Sequence, residues 1–180
     1  MLIGKTSWPI PLAILVVAGW AAVVTPGWVT VASCILGWTL LALAVIDLKH
    51  FILPDLLTLP LLLAGLVAAY FMDVDLIGHV IGAAAGYGAF ATMKFAYRRL
   101  RGREGLGLGD AKLLAALGTW VSWQGLPTVV FGAAALGLIA AVVRSAVDGR
   151  GTAHDRRLPF GPFLAAAGWL VWLYGPLALA

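Results

Sequence analysis

A succession of long apolar runs, each closed by proline, glycine or a charged residue, leaves this chain few folds to choose from. The runs fall at about residues 9–25, 28–47, 55–71, 76–97, 110–123, 126–146 and 160–179. They are continuous rather than alternating, so they read as helices and not as the strands of a membrane barrel. A water-soluble domain could not cover so much apolar surface: 62% of the residues are hydrophobic and 11% are charged. The sequence therefore predicts an all-α polytopic membrane protein with about seven transmembrane helices. Most runs are long enough to cross a bilayer at the usual rise of about 1.5 Å per residue. The run at 110–123 is short, at roughly 21 Å.

Punctuation between the runs is compact. Pro26 and Gly27 predict a tight turn. The polar break DLKHFILPD ends the second run, and Asp55 is placed to cap the third, with Pro60 inside it. Gly78, Gly82, Ala85, Gly86 and Ala89 line the fourth at spacings that let helices approach closely in lipid. A VASC tetrapeptide at 31–34 resembles a lipoprotein cleavage site but lies inside an apolar run, so the N-terminus is expected to stay attached. The single cysteine, Cys34, excludes a disulfide framework or a thiolate zinc site built from this chain alone.

With seven spans, all twelve basic residues fall on one side of the membrane. The positive-inside rule then predicts a cytoplasmic N-terminus, cytoplasmic basic loops and an external C-terminus. The formal charge of +4 at such positions indicates orientation and lipid contact rather than nucleic-acid binding.

This topology brings two acids to one face. Asp47 closes the second span and Asp110 opens the fifth, after the glycine-rich turn GLGLGD. Both are expected at the cytoplasmic boundary, 63 positions apart. Ionisable residues in spanning segments are costly and usually functional. Two carboxylates at matching depth can share one proton and divide general-base and general-acid work on a water, as aspartic proteases do. Gly107 and Gly109 leave open space beside Asp110. Spacing alone also permits a simpler arrangement, with Asp110 as an N-cap and Asp47 in contact with headgroups. GLGLGD is a poor phosphate loop, because no strand precedes it and no GKS or GKT follows.

Three stretches together resemble the prepilin peptidase family. DLKHFILPDLLTLP at 47–60 is similar to its first catalytic motif, GLGDAKLLAALG at 107–118 to its GxGD motif, and LPFGPFLAAAG at 158–168 to its C-terminal segment. The resemblance covers about residues 28–180. It implies a six-helix GxGD protease core as the catalytic domain at 28–180, with residues 1–27 carrying an added N-terminal helix. It implies that Asp47 and Asp110 are the catalytic pair and that Asp55 is structural. The implied reaction removes the short basic leader from type IV prepilins or pseudopilins at the cytoplasmic face of the bacterial inner membrane. In this family cleavage follows a glycine and leaves an aromatic residue at the new N-terminus. Longer members add a cytoplasmic domain with paired CxxC motifs, associated with N-methylation. This chain has no CxxC and resembles the short, peptidase-only form.

The remaining candidates have supporting parts. Pro54, Asp55, Gly107, Gly109 and Lys112 are expected to support the site, with Lys112 either tuning the field of the dyad or anchoring its helix. Lys49, Pro159, Phe160, Gly161 and Pro162 are candidates for the substrate region, and Glu104, Asp148 and Asp155 could meet a basic leader. Arg98, Arg99, Arg101 and Arg103 suit lipid headgroups. His50, His79 and His154 lack ligand spacing, so neither a metal nor another cofactor is expected. Trp120, Trp123 and Trp172 read as interfacial or packing residues. The expected partners are a prepilin or pseudopilin substrate and membrane lipid. A presenilin-like protease shares GxGD, but its YD and PAL motifs are missing here. A cation-coupled transporter or assembly subunit is the non-enzymatic alternative.

Overall fold

The structure is a computed structural model that describes residues 9–101, 107–148 and 158–176. Among these, six helices follow one another: α1 Pro9–Val24, α2 Val29–His50, α3 Asp55–Phe71, α4 Leu76–Arg101, α5 Leu108–Asp148 and α6 Gly161–Tyr174. Three segments, Val29–His50, Leu76–Phe95 and Leu108–Val147, are long and apolar enough to cross a membrane, and three shorter apolar helices accompany them. The protein is thus an all-helical, multi-pass membrane protein. Arg103, Glu104, His154 and Asp155 lie outside the described residues.

The expected spans at 110–123 and 126–146 are the two arms of α5. α5 is interrupted at Ser122, whose φ of 60° and ψ of 176° are not helical. Its two arms run in opposite directions along α6. A Cβ on Gly168 would stand 2.5 Å from Leu117, while the 108–110 end of the first arm lies by the start of α6. On the second arm the order reverses. Gly125 faces Val171, Gly132 faces Ala167, and Gly137 faces Phe163. The chain therefore doubles back at Ser122 without a conventional loop.

The first arm, 108–121, is the centre of the bundle. Ala111, Leu113, Leu114, Ala116, Leu117 and Trp120 are all buried, with α3, α4 and α6 packed around them. Close approach explains the small residues of α4. A Cβ on Gly82 would stand 2.5 Å from the Gly118 carbonyl oxygen, and one on Gly86 would stand 2.6 Å from that of Leu114. Lipid tails are as apolar as leucine, so this contact rests on van der Waals fit and not on hiding surface from water. The outward faces match that physics: Leu56, Ile77, Phe131, Leu138 and Val147 are exposed.

Indole N–H groups tie the outer helices to this centre. Trp120 donates to the Leu61 carbonyl at 2.9 Å, and Trp172 donates to Ser33 Oγ at 2.8 Å. Trp120 and Trp172 also meet edge to face at 5.1 Å. Trp120 is therefore a packing residue, whereas Trp123 is half-exposed. α1 lies on α2, and Trp20 on α1 hydrogen-bonds Tyr174 at the end of α6. The turn after α1 has Gly27 at φ 61°, as Pro-Gly predicts.

Two boundaries differ from expectation. α2 continues three residues past Asp47, so that carboxylate sits within the last turn and is buried. Asp55 does not cap α3. Pro54 occupies the N-cap position without a side-chain cap bond, and Asp55 is the first helical residue. The Asp55 carboxylate goes instead to Lys112 on α5, a stronger charged partner than a backbone N–H.

Candidate active site

Asp47 comes to the site on the last turn of α2. The turn closes at Phe51, a left-handed residue (φ 55°, ψ 34°) whose N–H returns to the Asp47 carbonyl at 2.9 Å. Its carboxylate accepts a hydrogen bond from the Gly161 N–H, Oδ2 to N 3.0 Å, at the first residue of α6. The contact is close: a Cβ on Gly161 would lie 2.6 Å from Asp47 Oδ2. Glycine at 161 is therefore required by the approach of the carboxylate. The Pro159–Pro162 segment, expected near the site, is placed there by this bond.

Asp110 comes to the site in the first turn of α5, the buried central arm. A Cβ on Gly107 would stand 3.7 Å from Asp110 Oδ2, so the glycine-rich turn lies beside this carboxylate. Two acids from helices far apart in sequence thus come to the same end of the bundle, Asp47 held there by the Gly161 N–H. Two carboxyls close enough to interact disfavour double ionisation. One protonated and one ionised carboxyl together offer both a proton donor and a proton acceptor.

Leu53 joins these two turns, and sequence reasoning missed it. A Cβ on Gly109 would stand 3.0 Å from the Leu53 side chain, and one on Gly161 would stand 3.3 Å from it. The side of Gly109 that a Cβ would occupy faces Leu53. The available signal was a buried-type residue inside a short polar connector, HFILPD. Phe90 on α4 was also missed; it stacks on Phe160 at 6.0 Å and ties α4 to the turn that holds Asp47.

The other candidates divide between the site and its surroundings. Asp55 accepts Lys112 Nζ on both oxygens at 2.7 Å. Pro54 starts α3, and its carbonyl accepts the N–H groups of Leu57 and Thr58. Lys49 is exposed on the last turn of α2. His79 lies elsewhere, buried on α4 with Nδ1 2.9 Å from the Thr119 carbonyl. Among the described residues no group of three His, Cys, Asp or Glu side chains is arranged to hold a metal ion.

Comparison with known proteins gives the family. The model of the type IV leader peptidase family matches residues 34–142, which include both acids. The chain is 44% identical over 156 residues to a prepilin leader peptidase/N-methyltransferase of Aeromonas salmonicida, covering 86% of this chain and 53% of that protein. It is 48% identical over 139 residues to the protein of the same name from Dichelobacter nodosus, covering 77% of this chain and 46% of that one. It is also 48% identical over 126 residues to the leader peptidase HopD of Escherichia coli, covering 69% of this chain and 81% of that protein. The chain spans about half the length of the prepilin leader peptidase/N-methyltransferases it matches. No solved structure matches it at a significant level. With more than half of its residues matched, the chain belongs to the type IV leader peptidase family.

Proposed function

We propose that this protein is an aspartic endopeptidase that removes the short basic leader of type IV prepilins or pseudopilins, with Asp47 and Asp110 as its catalytic pair. The observation that carries this reading is that Asp47 and Asp110 come to the same end of the bundle, where Leu53 lies against both Gly109 and Gly161. Family membership supplies the substrate class.

In the reaction the ionised carboxylate takes a proton from a water, whose oxygen attacks the scissile carbonyl carbon. The other carboxyl gives its proton to the carbonyl oxygen, which forms a gem-diol. The C–N bond then breaks as the leaving nitrogen takes a proton from the dyad and the carbonyl reforms. The Gly161 N–H holds the Asp47 carboxylate in place through these exchanges. No metal or other cofactor enters the scheme.

The doubling back of α5 supports seven crossings, because an element of 41 residues would be about 60 Å long if straight, twice the hydrocarbon thickness. Seven crossings put the basic residues, the dyad and the N-terminus on the cytoplasmic side of the bacterial inner membrane and the C-terminus outside. The leader of the substrate lies on that side.

Co-expression with a pseudopilin carrying a Gly-Phe junction tests the reading. Cleavage after the glycine is expected, and its loss in both Asp47→Ala and Asp110→Ala while the protein still inserts. Cleavage that survives in either variant would reject the dyad.

A further inference from the structure

Two short segments run side by side at the dyad. Leu53 packs on Gly109, and two residues further along the first segment and three along the second Asp55 pairs with Lys112. The first segment follows directly from the turn that carries Asp47, and the second contains Asp110. Both ends of this ladder are therefore short extensions of the two catalytic backbones.

The placement of Lys112 breaks a local rule. A cation in the opening turns of a helix opposes the positive end of the helix dipole. Asp55, by contrast, sits at the first residue of α3, where its anion is favoured. The conflict at Lys112 is resolved only by the contact between helices. Lys112 lies two residues after Asp110, which is roughly 200° around a helix of 3.6 residues per turn. Its ammonium thus leaves the opposite side of α5 from the Asp110 carboxylate.

Resting on the proteolytic reading above, we propose that the Lys112–Asp55 pair is a positioning latch. It sets the register of the start of α5 against the 51–55 connector, and so the approach of Asp110 to Asp47. It acts through position and not through charge at the dyad. Both partners are partly exposed, Lys112 at 34% and Asp55 at 54%, so the pair can be inverted without burying a new charge.

The test uses the full chain in proteoliposomes with a pseudopilin peptide containing a Gly-Phe junction. Lys112→Ala and Asp55→Asn should each lower kcat about fivefold, the range expected for loss of one partly exposed ion pair, with KM unchanged. The inverted double variant, Asp55→Lys with Lys112→Asp, should recover wild-type kcat and keep the wild-type pH profile. A double variant as slow as the singles, or one that recovers with a displaced pH profile, overturns the proposal. So does wild-type kcat in the singles.

A second readout is independent of turnover. Spin labels at Phe51→Cys and Leu108→Cys, in a Cys34→Ala background, should give one narrow distance distribution in the parent and the inverted variant. The distribution should be broader in each single variant. An unchanged distribution in the singles overturns the latch even where no peptide is cut. Absence of cleavage by the parent, with the broadening present, would reject the proteolytic reading and leave the latch standing.

Discussion

The two ends of the central helical arm are both polar, and they are built on opposite plans. At one end stand two acids, Asp47 and Asp110. About 18 Å along the arm, where α5 doubles back, a second polar group gathers from Asp75, His79, Thr119, Ser122 and Gln124. There each neighbour complements the next. His79 meets the Thr119 carbonyl at 2.9 Å, Thr119 Oγ1 donates to the Ala116 carbonyl at 2.7 Å, and Ser122 Oγ donates to Gln124 at 2.5 Å. Donors face acceptors at the reversal, whereas two acids share the other end. Buried polar groups stabilise a fold when they satisfy one another. Chemistry belongs at the end where they do not.

That contrast can be broken by mutation, most strongly at the acids. Asp47→Asn or Asp110→Asn should reduce cleavage by about 10²- to 10⁴-fold, the usual contribution of general acid–base groups. Helix content by circular dichroism should stay at the parent level. A residual rate near the parent in either variant would make the facing acids no different from the reversal cluster.

Gly161→Ala tests the backbone anchor. The added methyl would stand 2.6 Å from Asp47 Oδ2, so the carboxylate must move. A misplacement on the order of 1 Å is expected to lower kcat by up to about 10²-fold. Steady-state kinetics should show the loss in kcat rather than in KM.

At the reversal end the order of effects inverts. His79→Ala removes the partner of a buried carbonyl and should destabilise the protein by about 1–3 kcal/mol. Thermal unfolding in detergent would show the loss, with kcat at permissive temperature close to the parent value. A large kcat defect without a stability defect would erase the distinction between the two ends.

The smallest effect is expected at Ser122. Its φ of 60° and ψ of 176° fall in a region that glycine occupies and other residues avoid, at a cost on the order of 1–3 kcal/mol. Ser122→Gly relieves that cost and loses the bond to Gln124, itself about 1 kcal/mol. A net stabilisation of up to about 2 kcal/mol is expected in the same unfolding assay, with no change in kcat.

Much of the frame was legible before any coordinates. Continuous apolar runs dictate membrane helices, because only helices and closed barrels satisfy the backbone in lipid. Most of the helix limits follow from prolines, glycines and charges between the runs. Asp47 and Asp110 stood out as acids at the edges of apolar segments, and counting spans between them put both at one end. Gly161 was in view as a residue beside the site, though not as the donor to Asp47.

The tertiary structure alone decided which helix is central and how the site is held. The helices are apolar on nearly every face, so no periodic polarity marks the face that packs inward. The short run at 110–123 therefore gave little sign of being the buried core. The break between the runs at 110–123 and 126–146 was legible, but the backbone that makes it at Ser122 was not, because serine has no preference for that conformation. The Gly161–Asp47 bond joins residues 114 positions apart, and the Lys112–Asp55 pair joins residues 57 apart. Such pairings depend on which helices become neighbours, and in lipid that is settled by close steric fit. Local sequence decided that this chain would cross a membrane and carry two acids to one end. Packing around the glycines of α4, α5 and α6 decided how the turns that carry the acids fit together.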